Sequence, residues 1–227
     1  MKIAIIAGGG KFPVQIANKF NIKSIFYAEE SESEYGGRLL TKNSLKLRLE
    51  GGSNDLYYMN NLNETSKIKK YKITSNRIKV VIYCHTFFDS PHVFGKNLFP
   101  DYKIWLDYLE QIMKRTDYLW FIKSHPNSDI KTDEYIKILS KRNKNLINLP
   151  KNLTPKSVSK LGIKYALTMY GTVGSELPLY NIILINASLN NPHINYNFNL
   201  HPRSIAEYEK FLLNLKNVKI KINKKDI

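Results

Sequence analysis

Tyr118-Leu119-Trp120-Phe121-Ile122-Lys123-Ser124-His125-Pro126 runs a short apolar stretch straight into a polar loop. The chain repeats the device at Tyr165-Ala166-Leu167-Thr168-Met169, followed by Tyr170-Gly171-Thr172-Val173-Gly174-Ser175-Glu176. Apolar runs of this length, bounded by polar or Gly/Pro punctuation, read as buried strands. Residues 78–84 form a third run, rich in β-branched side chains and suited to a parallel strand covered on both faces. In an open parallel sheet, ligands sit where loops leave the carboxyl ends of neighbouring strands. The Ser124-His125 loop and the Gly171 to Glu176 loop are therefore expected to face one bound anion.

Working outward, the spacing predicts helices between these strands. Asp101 is an N-cap candidate, and Ile104, Trp105, Tyr108, Leu109, Ile112 and Met113 recur at helical spacing as a core stripe. A helix is expected over residues 132–141 and a strand over 146–149. Thr154-Pro155 has the pattern of an N-cap with proline at the first helical position, and residues 182–185 read as a strand. Ser204-Ile205-Ala206-Glu207 has capping-box spacing before a stripe of Ile205, Tyr208, Phe211, Leu212 and Leu215. Residues 2–7 and 22–28 read as strands flanking a helix over 12–20, and Gly8-Gly9-Gly10 as a tight turn. Residues 29–37 read as an exposed loop, 38–73 are weakly periodic, and 186–202 form a long irregular segment with the character of a lid, containing His193 and His201. Strands alternating with helices imply an α/β fold with a Rossmann-like, doubly wound parallel sheet. The expected division is a small or incomplete α/β portion with its connector over 1–75 and a nucleotide-binding domain over 76–227.

Composition narrows the classes. A chain of 227 residues, 43% hydrophobic and 24% charged, folds as one domain or one plus part of a second and lies far from the disordered regime. A single cysteine, Cys84, excludes an intrachain disulfide framework and suits a reducing compartment. With no signal-like start and no apolar run near ~20 residues, the expectation is a cytoplasmic protein, peripheral at most to the inner face of the membrane. The net charge of +16 suits anionic small molecules, an anionic bilayer or nucleic acid. Scattered lysines beside abundant Asn, Ile and Tyr also fit a coding bias, which makes nucleic acid the weakest of these partners.

Several residues can carry chemistry. Gly171 and Gly174 let backbone approach a ligand, Thr172 and Ser175 offer hydroxyls, and Glu176 accepts a hydroxyl or complements a helix dipole. The same residue types also cap helices for structural reasons. His125 suits a phosphate or is simply a loop histidine bonded to backbone, and Lys123 is a second cation or a strand-edge lysine. In His85-Thr86-Phe87-Phe88-Asp89-Ser90-Pro91-His92, Asp89 is the candidate general base or an Asx turn before Pro91. His85 and His92 would line the cleft, and no metal site is expected because the set lacks the usual ligand spacing.

Residues 81–92, Phe121-Ile122-Lys123-Ser124-His125-Pro126, Tyr170 to Glu176 and the segment 202–211 together resemble the C-terminal nucleotide-sugar-binding domain of bacterial capsule and surface-polysaccharide glycosyltransferases of the GT-B type. The resemblance spans about residues 48–215. It implies a transferase that moves a sugar from a cytidine- or uridine-activated donor to a growing glycan or lipid-linked acceptor. Lys123, Ser124, His125, Pro126, Gly171, Thr172, Val173, Gly174, Ser175 and Glu176 would hold the donor, His125 and Asp89 would be catalytic, and no cofactor is implied. Pro178 and Asn181 depart from the family pattern, and residues 1–75 are short for an acceptor domain, so a partner subunit or a second copy is expected to supply it. The alternatives are a non-catalytic nucleotide-binding subunit of a polysaccharide assembly system and a sugar-nucleotide epimerase.

Overall fold

A computed structural model describes residues 3–7, 23–27, 75–88, 96–189, 191, 194 and 196–222. The expected helix over 12–20, the Gly8-Gly9-Gly10 turn and the segments 29–37 and 38–73 lie outside these residues, as do Asp89, Ser90, Pro91, His92, Asn190, Pro192 and His193. β1 (Ile3–Ala7) and β2 (Lys23–Tyr27) pair in parallel as expected. Five further strands form one all-parallel sheet: β3 (Lys79–Tyr83), β4 (Leu119–Lys123), β5 (Leu146–Leu149), β6 (Tyr165–Thr168) and β7 (Ile183–Asn186), in the order β5-β4-β3-β6-β7.

Strand order reverses at β3: the chain steps outward through β4 to β5, then crosses back to add β6 and β7 on the other side. Crossovers of one hand that step in opposite directions must leave their helices on opposite faces. They do. α1 (Tyr102–Lys114) and α2 (Ile130–Arg142) bury Trp105, Leu109, Ile136 and Leu139 against Val80, Ile82, Trp120 and Ile122. α3 (Pro155–Ser159) and the 3-10 turn Leu177–Tyr180 bury Val158 and Leu177 against Val81, Phe121 and Ala166 on the second face. α5 (Ile205–Leu213), which follows β7, returns to the first face, where the Trp105 indole N–H donates to the Tyr208 hydroxyl at 3.1 Å. The described residues thus form an α/β fold with a five-stranded, all-parallel sheet covered by helices on both faces, as a Rossmann-like arrangement requires.

Local chemistry sets the element ends. Asp101 accepts from the Ile104 N–H at 2.7 Å, Thr154 from Ser157 at 3.1 Å, and Ser204 from Glu207 at 3.1 Å, while Glu207 accepts from Arg203 N–H rather than from the cap itself. The helix after the Gly171 loop, α4 (Val173–Glu176), lasts four residues, because Pro178 has no N–H to continue it and the chain tightens into the 3-10 turn. That turn ends at Asn181 in the left-handed region, φ 58 and ψ 33. Two stripe residues differ from expectation: Ile104 and Ile205 are 44% and 42% exposed. Both stand in the first turn of their helices, where the stripe runs past the rim of the packed face.

The described residues of the segment 186–202 are tied to the sheet. Leu200 N–H bonds Leu184 C=O at 2.8 Å and Asn186 N–H bonds Leu200 C=O at 3.0 Å, extending the sheet beyond β7, while Phe198, Asn199 and Asn191 are buried. Leu98 and Leu189 N–H groups bond Ala187 and Lys96 carbonyls at 2.8 Å each, stitching the approach to α1 onto the exit of β7.

Leu109→Ala, a fully buried truncation, is expected to cost about 2–5 kcal/mol in urea unfolding, whereas Ile104→Ala should stay within ~0.5 kcal/mol. Equal losses would contradict the placement of α1. Asn181→Val should cost on the order of 1–2 kcal/mol through its left-handed backbone, and Asn181→Gly should be nearly neutral.

Candidate functional site

Five strands end at one edge, and their register sets what meets there. Lys123 pairs with Tyr83 on one side and Leu149 on the other, Ile82 with Leu167, and Thr168 with Asn186. The final residues of β5, β4, β3, β6 and β7 therefore form one cross-strand row: Leu149, Lys123, Tyr83, Thr168 and Asn186. By alternation with Ile122, Ile82, Leu167 and Ile185, which bury on the first face, the row lies on the second face, where α4 packs. Every member is buried.

Above this row stand the loops. The β3 loop brings His85, whose ring stacks on Tyr102 with centroids 4.6 Å apart and planes 12° apart. His125, from the β4 loop, lies nearly parallel to His85 with centroids 6.5 Å apart. From the β6 loop, Gly171 lies so close that a methyl added to it would sit 3.6 Å from His85 Nε2. His85 is thus flanked by the two loops singled out in the sequence, at the point where strand order reverses and the connections from β3 and β6 depart to opposite faces. A crevice at that position is the usual ligand seat of such sheets.

The details differ from a ready-made phosphate cradle. Gly174 and Ser175 N–H groups already donate to Gly171 and Thr172 carbonyls at 3.3 and 3.0 Å, so they close the turn instead of facing outward. Thr172 is exposed, Gly171, Val173 and Ser175 are half-buried, and Gly174 is fixed from below by the Asn199 amide, which donates to its carbonyl at 2.8 Å. His125 Nδ1 accepts from the Asn127 N–H at 3.2 Å, which puts the proton of the neutral ring on Nε2. Pro126 is half-buried and Ser124 buried. The β4 loop is braced at its far end: Asp129 caps α2, accepting from Thr132 N–H at 2.9 Å and from its hydroxyl at 2.5 Å, and Thr132 Oγ1 in turn accepts the Phe87 N–H at 2.9 Å.

Lys123 and Glu176 lie behind the loops, not on their surface, at 4% and 5% exposure. Burial pushes the Lys123 ammonium down to about 8, against the upward pull of the negative charge of Glu176. Burial and the Glu176 charge both push the Tyr83 hydroxyl up, and burial pushes the Cys84 thiol up as well. Cys84 is consequently a neutral, unreactive thiol. His201 Nδ1 lies 3.1 Å from the Asn191 amide nitrogen. The catalytic candidate Asp89 and the cleft candidate His92 lie outside the described residues. Among the described residues, no group of three or more His, Cys, Asp and Glu is placed to hold a metal ion. No described helix is long and apolar enough to cross a membrane. Tyr83, Tyr102, Thr168, Asn186 and Asn199 belong to the site without having been singled out in the sequence; the one signal for them is that polar residues close several of the apolar strand runs.

Comparison with protein-family models and with curated proteins finds no match to this chain.

The buried ammonium gives a signed pH effect. Unfolded, Lys123 regains the ordinary lysine value of 10.5, so between about pH 8 and 10.5 the unfolded chain binds more protons than the folded one. Stability then rises with pH across that window. Urea unfolding of the wild type should show this rise relative to Lys123→Met, and parallel pH dependence of the two proteins would contradict it.

Proposed function

We propose that the chain is a glycosyltransferase, or the donor-binding half of one, that seats the phosphate of a nucleotide-activated sugar at the carboxyl ends of β3, β4 and β6. The observation that carries this reading is the meeting of His125 and the Gly171 loop on either side of His85, at the reversal of strand order. The resemblance to the GT-B enzymes of bacterial surface-polysaccharide synthesis, resting on the His-Pro and Gly-Thr-Val-Gly-Ser-Glu loops, supplies the reaction class.

In such a transfer the bond between the anomeric carbon and the donor phosphate breaks, and negative charge grows on the departing nucleotide. A donor held ready for that oxygen stabilises the transition state more than the ground state. His125 suits this role because its Nδ1 is already occupied as an acceptor, leaving Nε2 as the N–H-bearing atom. The Thr172 and Ser175 hydroxyls add donors from the opposite loop, and the net charge of +16 draws an anionic donor in. Asp89, four residues beyond His85, takes the acceptor hydroxyl's proton in this scheme. The acceptor is a glycan or lipid-linked glycan, and a partner subunit or second copy completes its site.

A panel of cytidine and uridine sugar nucleotides tested by thermal shift is the direct check. A ligand present at a hundred times its Kd adds about 2.7 kcal/mol to the native state, a rise of several degrees in Tm. One donor class is expected to give that rise in the wild type and not in His125→Ala, whose own Tm should be unchanged. A flat wild-type response across the panel, or an equal rise in the variant, contradicts the assignment. Release of free nucleotide on adding acceptor separates a transferase from a binding subunit.

A further inference from the structure

Charge is divided unevenly between the two ends of the main sheet. At the amino ends of the strands, opposite the candidate site, Lys144 and Lys164 stand just before β5 and β6, and Lys114 and Lys141 occupy the last turns of α1 and α2. After α5 the chain returns to this end, where the Tyr165 hydroxyl donates to the Leu215 and Val218 carbonyls at 2.6 and 3.1 Å, and there it adds Lys216, Lys219 and Lys221. All seven lysines are exposed, and none forms an ion pair with a described residue. From the midpoint of each first-face helix onward and through these connections, the acidic residues are Glu110, Asp117 and Glu209. Each already faces an arginine: Arg142 at 2.9 Å, Arg77 at 3.7 Å and Arg115 at 2.5 Å. At the carboxyl end, by contrast, Asp101, Asp107, Asp129, Asp133, Glu134 and Glu207 offset Lys96, Lys103, Lys131 and Arg203. Helix dipoles account for part of this division, because they favour acids in first turns and bases in last turns. They do not account for Lys144, Lys164, Lys219 and Lys221, which lie outside helices, and a coding bias toward lysine would spread such residues over both ends.

We propose that the lysine-bearing amino end of the main sheet is a docking surface for an anionic lipid bilayer, with the candidate site at the opposite end facing away from the lipid. Unpaired like charges repel one another, and a plane of headgroup phosphates relieves that repulsion. Three features favour a bilayer over a nucleic acid. The lysines belong to connections spread over a sheet of five strands, roughly 19 Å across at about 4.8 Å per strand, which is a broad face and not a narrow track. All seven unpaired cations are lysines, whose compact charges on flexible stems suit mobile phosphates, whereas the arginines of this end, the residues suited to fixed bidentate contacts, are taken up by acidic partners. Single-stranded nucleic acid sites also present aromatic platforms, but the exposed aromatic side chains among the described residues, Phe88 and Tyr196, belong to segments that follow β3 and β7. The inference goes beyond the sugar-transfer reading and does not depend on it, because its test reads lipid and not nucleotide.

The test is co-sedimentation of the full chain with lipid vesicles. Vesicles of phosphatidylcholine with an equal part of phosphatidylglycerol should bring the protein down, vesicles of phosphatidylcholine alone should not, and binding should weaken as salt is raised. The variant Lys144→Gln/Lys164→Gln/Lys219→Gln/Lys221→Gln should lose affinity for the anionic vesicles by at least about a hundred-fold, since each lysine near such a surface contributes separately. Its urea unfolding should match the wild type, because all four side chains are exposed and unpaired. The matched variant Lys96→Gln/Lys103→Gln/Lys131→Gln/Arg203→Gln, which removes as much charge from the carboxyl end, should weaken binding less than about ten-fold, because charges beyond a Debye length from the surface are screened. Absence of binding to anionic vesicles overturns the proposal. Equal losses in the two variants also overturn it, because net charge and not this end would then set the affinity. Retention of polyuridylate RNA at a salt concentration that releases the vesicles overturns it in favour of a nucleic acid.

Discussion

The parallel register at the carboxyl end of β3 is the constraint on which the rest of the molecule depends. With Tyr83 opposite both Lys123 and Thr168, the loops after β4 and β6 begin at one height on either side of the β3 loop. Slipping any of these strands by one residue would turn its buried side chains to the opposite face, so the apolar cores on both faces pin the register. Trp120 and Ile122 serve one core, Leu119 and Phe121 the other. Fixing the strands in this way makes His85, His125 and Gly171 neighbours, although no short-range signal in the chain connects them.

What lies beneath that edge is less economical for stability than it need be. Lys123, Glu176, Tyr83, Thr168 and Asn186 occupy buried positions that a purely structural sheet would fill with apolar side chains. Natural chains depart from that rule mostly where function requires it. Here the departures gather at the strand ends, four of them in one row and Glu176 in α4, at the point where strand order reverses. Elsewhere the same strands are as apolar as expected, with Val80, Val81, Ile82, Phe121 and Ile122 fully buried. The segment after β7 reinforces the row from the side, through the Asn199 amide bound to the Gly174 carbonyl.

Much of this architecture was legible in the sequence, for reasons that can be named. The caps Asp101, Thr154 and Ser204, the proline at the start of α3 and the left-handed Asn181 act through their own neighbours, so local chemistry reveals them. The strands of the main sheet announce themselves as apolar runs because both faces are covered. Strand order was not legible, since it follows from packing between distant segments. Helical spacing gives the direction of a stripe but not where the core ends, which is why Ile104 and Ile205 emerge into solvent. Residues 186–202 read as irregular because their anchors are single hydrogen bonds to remote carbonyls. Of the site, the His125 and Gly171 loops were visible as strand-end punctuation, but the burial of Lys123 and Glu176 was hidden by their charge, and nothing local to Tyr102 announced its stacking on His85.

Convergence of the two loops on a single anion is the central claim, and amide chemical-shift mapping tests it most directly. Titrating cytidine 5′-monophosphate or uridine 5′-diphosphate into isotopically labelled protein should move, in a saturable way, the amides of residues 124–128 and 171–176 together with His85, and should shift the His125 ring signals. Perturbation of only one loop, or of surfaces away from the carboxyl ends of β3, β4 and β6, would contradict the account.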